Sequence, residues 1–125
     1  MHYINLKTEI PGPKSLQILE RRKNAMPAGL AKSTDIVIDH AAGGIVNDVD
    51  GNTLLDFAGG IGMMNVGHRP EKVVQAMKEQ LDKYLHICTL VATPEPYVEL
   101  AELLNELTPG SFSKKTILAN SGSEA

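Results

Sequence analysis

At 125 residues, with 42% hydrophobic and 22% charged content, the chain has the length and composition of one soluble globular domain. A formal net charge of −3 and the lack of a basic stripe argue against a nucleic-acid partner, and no apolar run is long enough to span a membrane. The single cysteine, Cys88, cannot form an internal disulfide and favours a cytoplasmic setting; its neighbours Ile87, Leu90 and Val91 predict that it is packed rather than reactive. The first ten residues show no continuous apolar stretch after a basic start, so no secretory leader is expected.

Pro11-Gly12-Pro13 punctuates the opening segment. Ser15 then reads as the N-cap of a short helix over 16–26, with Leu16, Ile18 and Leu19 on its apolar side and Pro27 beyond its end. The basic run Arg21-Arg22-Lys23 reads as the solvated face of that helix. A small antiparallel meander follows. Its strands are Ile36-Val37-Ile38, Ile45-Val46 after the Gly43-Gly44 turn, and Thr53 to Phe57 after the Asp50-Gly51-Asn52 turn. The three aspartates Asp48, Asp50 and Asp56 match no calcium loop.

The stretch from Gly59 to His68 is too apolar for a surface linker and too glycine-rich for a helix, which suits close backbone approach to a ligand or another chain. His68 has no second His or Cys at metal spacing and reads as structural, and no metal site is expected. Two amphipathic helices are predicted next. One covers 71–85, with Val73, Val74, Met77 and Leu81 at helical spacing; the other covers 95–107 and takes Thr93 as N-cap. Thr116-Ile117-Leu118-Ala119 then reads as a strand buried on both faces, as in a parallel sheet.

That strand runs into Asn120-Ser121-Gly122-Ser123-Glu124-Ala125. Strand, Ser/Gly turn, helix start is a common way to build a phosphate site, because the first amides of a helix have no intrahelical acceptor and point outward. Gly122 permits close approach and Ser121 and Ser123 add hydroxyls. Ser-x-x-Glu is also a capping box, whose only task is to start a helix, so both readings stand. Neither a Walker A loop nor Gly-x-Gly-x-x-Gly is present. The element order predicts an α/β fold in which an α+β N-terminal segment leads into a larger domain. One parallel strand makes no sheet, so the architecture reads as unfinished. A piece with such an uncovered strand is expected to melt without cooperativity or to aggregate.

Taken together, the run Asp50 to Phe57, Gly60-Ile61-Gly62, Asn65-Val66-Gly67-His68, the 73–81 helix and Asn120 to Ala125 resemble the class III aminotransferases, fold-type-I enzymes that use pyridoxal 5'-phosphate. Pro96 to Gly110 resembles the 4-aminobutyrate aminotransferase branch. The resemblance implies that 1–57 is an N-terminal helix and meander, 58–70 a Gly-rich active-site or interface segment, and 71–125 the start of the cofactor-binding large domain. It implies that Gly122 and Ser123, with Ser121 beside them, bind the cofactor phosphate and that Ile61 and Gly62 line the substrate pocket. It implies an ω-amino acid donor, a 2-oxo acid acceptor such as 2-oxoglutarate, and a homodimer or higher homo-oligomer with its active site between subunits.

The family's Schiff-base lysine cannot be located. Lys114 and Lys115 lie before the phosphate loop, in what reads as a solvated turn, and no catalytic residue is assigned to this chain. The expectation is that the complete protein transaminates and that these 125 residues alone do not. Two alternatives stay open: an acetylornithine, ornithine or diamine aminotransferase, or a non-catalytic piece that complements another subunit.

Overall fold

The computed structural model describes residues 3–125, which form two units, one up to Lys78 and one from Glu79 onward. The first unit begins with α1 (Pro13–Ala25) and continues into a three-stranded antiparallel sheet of β1 (Ile38–Ala42), β2 (Ile45–Asp48) and β3 (Thr53–Leu55) in the order β1-β2-β3. A short helical turn, α2 (Gly59–Gly62), and the start of α3 (Glu71–Leu81) follow. The second unit holds the end of α3 and α4 (Glu95–Leu107).

α1 starts earlier than its sequence suggests, and the reason is tertiary. Pro13 occupies the first helical position, where a missing N–H costs nothing. The cap comes from the β2–β3 turn, since Asp50 Oδ1 accepts from Lys14 N at 2.8 Å and Oδ2 from Ser15 N at 3.0 Å. Ser15 is therefore not the N-cap but a fully buried first-turn residue whose hydroxyl donates to Asp50 Oδ2 at 2.5 Å. Gly12 leaves the room: a Cβ there would stand 2.4 Å from Asp50 Cγ.

The same turn supplies the other buried groups. Asn52, fully buried, accepts from Lys7 N (2.7 Å) and Thr8 N (3.0 Å) and donates to Thr8 Oγ1 (2.9 Å) and Asp48 Oδ2 (2.6 Å). Asp48 Oδ1 accepts from Asp50 N and Asn52 N at 3.0 and 2.7 Å. Backbone bonds between Asn5 and Thr53 lay the N-terminal segment along β3. Every fully buried side chain among the described residues is polar and partnered; no apolar side chain is buried.

β1 begins at the last of its three expected residues and extends to Ala42, because the two-residue turn Gly43-Gly44 closes on the Ala42–Ile45 pair and sets the register. A bulge separates Ile38 from His40. α3 ends at Leu81 rather than at 85, where the Gln80 carbonyl accepts from both Lys83 N and Tyr84 N. α4 matches its expected span, with Pro94 rather than Thr93 at the N-cap.

Two expectations in the second unit are corrected. Thr116 to Ala119 is not a strand: among the described residues it pairs with no strand, and its backbone bonds a side chain instead, Leu118 N donating to Tyr97 Oη at 2.9 Å, while Ile117 is exposed. Thr116 Oγ1 bonds Asn105 Oδ1 of α4 at 2.8 Å. Cys88 is exposed, because its carbonyl closes a turn with the amides of Val91 and Ala92 that throws Leu90 and Val91 outward.

With no buried apolar core, the 125-residue chain by itself is expected to unfold over a broad temperature range with a small heat-capacity change, and a sharp two-state calorimetric melt of a monomer would contradict this. Asn52→Ala strips the acceptor from Lys7 N and Thr8 N. The expected cost is about 2 kcal/mol, visible as roughly 30-fold faster amide exchange at those two positions; unchanged exchange would deny Asn52 its role.

Candidate functional site

Two places carry the residues singled out from the sequence, one in each unit. In the second unit, Ser121 to Glu124 forms a turn rather than a full helix. The capping box is made in both directions: Glu124 N donates to Ser121 Oγ (3.3 Å), and Glu124 Oε2 accepts from Asn120 N (2.6 Å) and Ser121 N (3.0 Å). The carboxylate thereby consumes the first two amides of the turn. Gly122 N and Ser123 N donate to no group among the described residues, and open space surrounds the position a Gly122 Cβ would take. The box and the phosphate reading are thus compatible. Glu124 holds the turn, and the next two amides have no acceptor among the described residues. This donor set, backbone N–H and hydroxyl with no competing carboxylate on those two amides, fits a phosphate.

Of the two lysines before the turn, Lys114 is otherwise engaged. Lys114 Nζ donates to Gly110 O at 2.6 Å and lies 5.1 Å from the Phe112 ring centroid.

In the first unit, Gly59, Gly60, Ile61 and Gly62 all have positive φ, of 50°, 62°, 59° and 81°. The helical turn here is left-handed, which explains why glycine fills three of its four positions. Ile61, a β-branched residue with no glycine freedom, sits in that turn with its side chain 98% exposed. The loop is closed at its base. Asp56 Oδ1 accepts from Ala58 N (3.0 Å) and Gly59 N (2.8 Å), and Oδ2 lies 2.6 Å from His68 Nε2. His68 pairs through its backbone with Gly43 in both directions, at 2.9 and 2.7 Å. Gly67 allows this, since a Cβ there would fall 2.8 Å from Gly43 O.

The structural reading of His68 therefore holds, and its partner Asp56 is the residue that sequence reasoning passed over. The available signal was an aspartate two and three residues ahead of amides in a glycine-rich turn, with the loop's one histidine at the other end. No group of three or more His, Cys, Asp or Glu side chains suited to a metal occurs among the described residues. Likewise, no helix among them is long and apolar enough to cross a membrane.

The Asp56 carboxyl is held below its ordinary value of 3.8 chiefly by the His68 hydrogen bond, then by the Gly59 amide; burial pushes the other way, and the Ala58 amide and the His68 charge add to the lowering. Asp50 is also lowered: burial pushes it up, and the Ser15 hydroxyl with the Lys14 and Ser15 amides outweighs that.

These two units carry the signature of one family. The aminotransferase class-III family model matches residues 28–125. A 4-aminobutyrate aminotransferase of Mycobacterium leprae is 42% identical over 96% of this chain and 27% of its own. A 5-aminovalerate aminotransferase of Pseudomonas putida is 49% identical over 86% of this chain and 25% of its own. Among solved structures, an adenosylmethionine-8-amino-7-oxononanoate aminotransferase of Methanocaldococcus jannaschii superposes with a TM-score of 0.66 at 27% identity, over 75% of this chain and 23% of that one. The chain belongs to the class III aminotransferases and carries part of their α/β fold. It spans about a quarter of the length of the curated relatives it matches.

Since the folded Asp56 pKa lies below the unfolded one, the ionised carboxylate stabilises the loop at every pH above about 3.8, and this contribution fades as the pH falls through the lower folded value. Intrinsically corrected amide-exchange protection at Ala58 and Gly59 should show a loss below the ordinary carboxyl range, as Asp56 takes up its proton. A midpoint above that range would contradict the assignment.

Proposed function

We propose that the complete protein moves an amino group from an ω-amino acid of the 4-aminobutyrate or 5-aminovalerate type to a 2-oxo acid such as 2-oxoglutarate, using pyridoxal 5'-phosphate. Family membership supports the reaction class, and the two named relatives support the donor class. The observation that carries the cofactor reading is the pair of unpartnered amides at Gly122 and Ser123 inside a capped turn. Bound pyridoxal phosphate supplies the electron sink that amino-group chemistry needs.

This chain's own share is binding and shape. Gly122 N and Ser123 N donate to phosphate oxygens, and the Ser123 hydroxyl adds a third donor. Ser121 serves mainly by accepting from Glu124 N, so that the turn is formed before the anion arrives. Ile61 presents an apolar edge to the methylenes of the donor, and Gly62 beside it leaves backbone-only bulk. No residue here is given a proton-transfer role, so the 125 residues alone do not transaminate.

The exposed Phe57, Met63 and Val66 suit burial against a second subunit, in keeping with a cytoplasmic homodimer whose 58–70 segment lies at the interface. The segment from 1 to 57, within the first unit, then serves as the scaffold that holds 58–70, and 71–125 opens the cofactor-binding domain.

The test is twofold. The complete protein is assayed with 2-oxoglutarate against 4-aminobutyrate, 5-aminovalerate and ornithine; turnover with the first two supports the reading, and turnover with ornithine alone overturns its donor class. Ser123→Ala is then expected to weaken pyridoxal phosphate about tenfold while leaving phosphate-free pyridoxal unaffected. Equal loss for both would remove Ser123 from the phosphate site.

A further inference from the structure

A β-branched side chain in left-handed backbone is a genuine outlier, and such outliers persist only where the surroundings over-determine them. Ile61 has φ of 59° and is 98% exposed, so its own side chain gains nothing from the chain to offset the strain. The restraint comes from the base of the loop. Asp56 binds the amides of Ala58 and Gly59 just before the left-handed turn, and His68 ties the far end both to Asp56 and to Gly43 in the β1–β2 turn.

The Asp56–His68 pair is also unlike the other histidine–aspartate pair. Its side chains are 15% and 24% exposed, against 62% and 61% for Asp39 and His40, which are sequence neighbours and constrain no loop. A sheltered pair joining residues twelve apart closes residues 57–67 into a ring.

We propose that Asp56 and His68 are positioning residues: their clasp fixes where Ile61 stands and thereby sets how long a donor the site accepts. An apolar edge discriminates one methylene only if it cannot retreat. Held in place, it separates adjacent donors by roughly tenfold or more; on a slack loop it yields and the preference flattens. This deepens, and rests on, the assignment of Ile61 to the donor pocket.

The test uses the complete, cofactor-loaded protein and compares Asp56→Ala, Asp56→Asn and His68→Gln. Asn keeps an acceptor for the two amides and offers N–H to His68, and Gln offers N–H to Asp56, so both serve as rescues. The readouts are amide exchange over residues 58–67 and KM and kcat for straight-chain ω-amino acids of four, five and six carbons. Asp56→Ala is expected to speed loop exchange about tenfold or more. It should also flatten the kcat/KM ratio between adjacent donors about tenfold, through KM, while kcat for the preferred donor stays within about threefold. The rescues keep both properties.

Unchanged exchange in Asp56→Ala overturns the clasp; faster exchange with an unchanged donor ratio overturns the selectivity. A wild-type protein that accepts none of these donors overturns the pocket assignment instead, and the exchange readout still decides whether the clasp holds the loop. Should Asp56→Ala fail to fold, His68→Ala, which leaves Asp56 bound to Ala58 and Gly59, carries the same test.

Discussion

Asn52 is the constraint on which the first unit depends. It is fully buried, and its single amide group gathers the N-terminal segment at Lys7 and Thr8 and the β2 end at Asp48. Two residues away, Asp50 caps α1. One turn of the chain thus stands in for an apolar core, since no apolar side chain is buried among the described residues. The logic is that of buried polar networks generally: fully satisfied they specify geometry, and half satisfied they cost more than an apolar contact. All the buried side-chain polar atoms here are satisfied among the described residues.

The rest of the first unit is built on that fixed frame. The sheet holds the Gly43 turn, the turn holds His68, and His68 with Asp56 holds a left-handed loop whose tip is apolar. In the other unit, Glu124 spends its carboxylate on two amides so that the two after them stand free. Both devices follow one principle: a rigid base makes its hydrogen bonds internally and leaves the group at its edge without a partner among the described residues. Most large apolar side chains of the helices are exposed as well, Met77 and Leu81 of α3 and Leu103 and Leu107 of α4 among them. Surfaces of this kind are what a quarter-length portion of a larger family fold presents.

Legibility in the sequence followed the range of the interactions. The span of α4 was readable, with its N-cap one residue off, because its signals are local: Thr93-Pro94 at one end, Pro109-Gly110 beyond the other, and an apolar period between. The Gly43-Gly44 and Asp50-Gly51-Asn52 turns were readable for the same reason. What the second turn does was not, since Asp50 and Asn52 act on backbone 35 to 45 residues away and no spacing rule reaches that far. Ser15 looked like a cap because caps are usually local; the actual cap arrives from a strand connection. Thr116 to Ala119 looked like a strand because an apolar run reports burial, whereas strand geometry requires a neighbour, which Leu118 replaces with the Tyr97 hydroxyl. The Ser121 to Glu124 turn was ambiguous for a chemical reason: a capping box and an anion cradle draw on the same residues, and the geometry shows which amides the box takes, those of Asn120 and Ser121.

The central claim is that Gly122 and Ser123 hold the phosphate of pyridoxal phosphate in a turn whose earlier amides Glu124 has already taken. A crystal structure of the complete protein with pyridoxal phosphate tests it most directly. The account predicts phosphate oxygens at hydrogen-bond distance from Gly122 N, Ser123 N and Ser123 Oγ, with Glu124 still on Asn120 N and Ser121 N. A phosphate bound elsewhere, or one that displaces Glu124 from its amides, would contradict it.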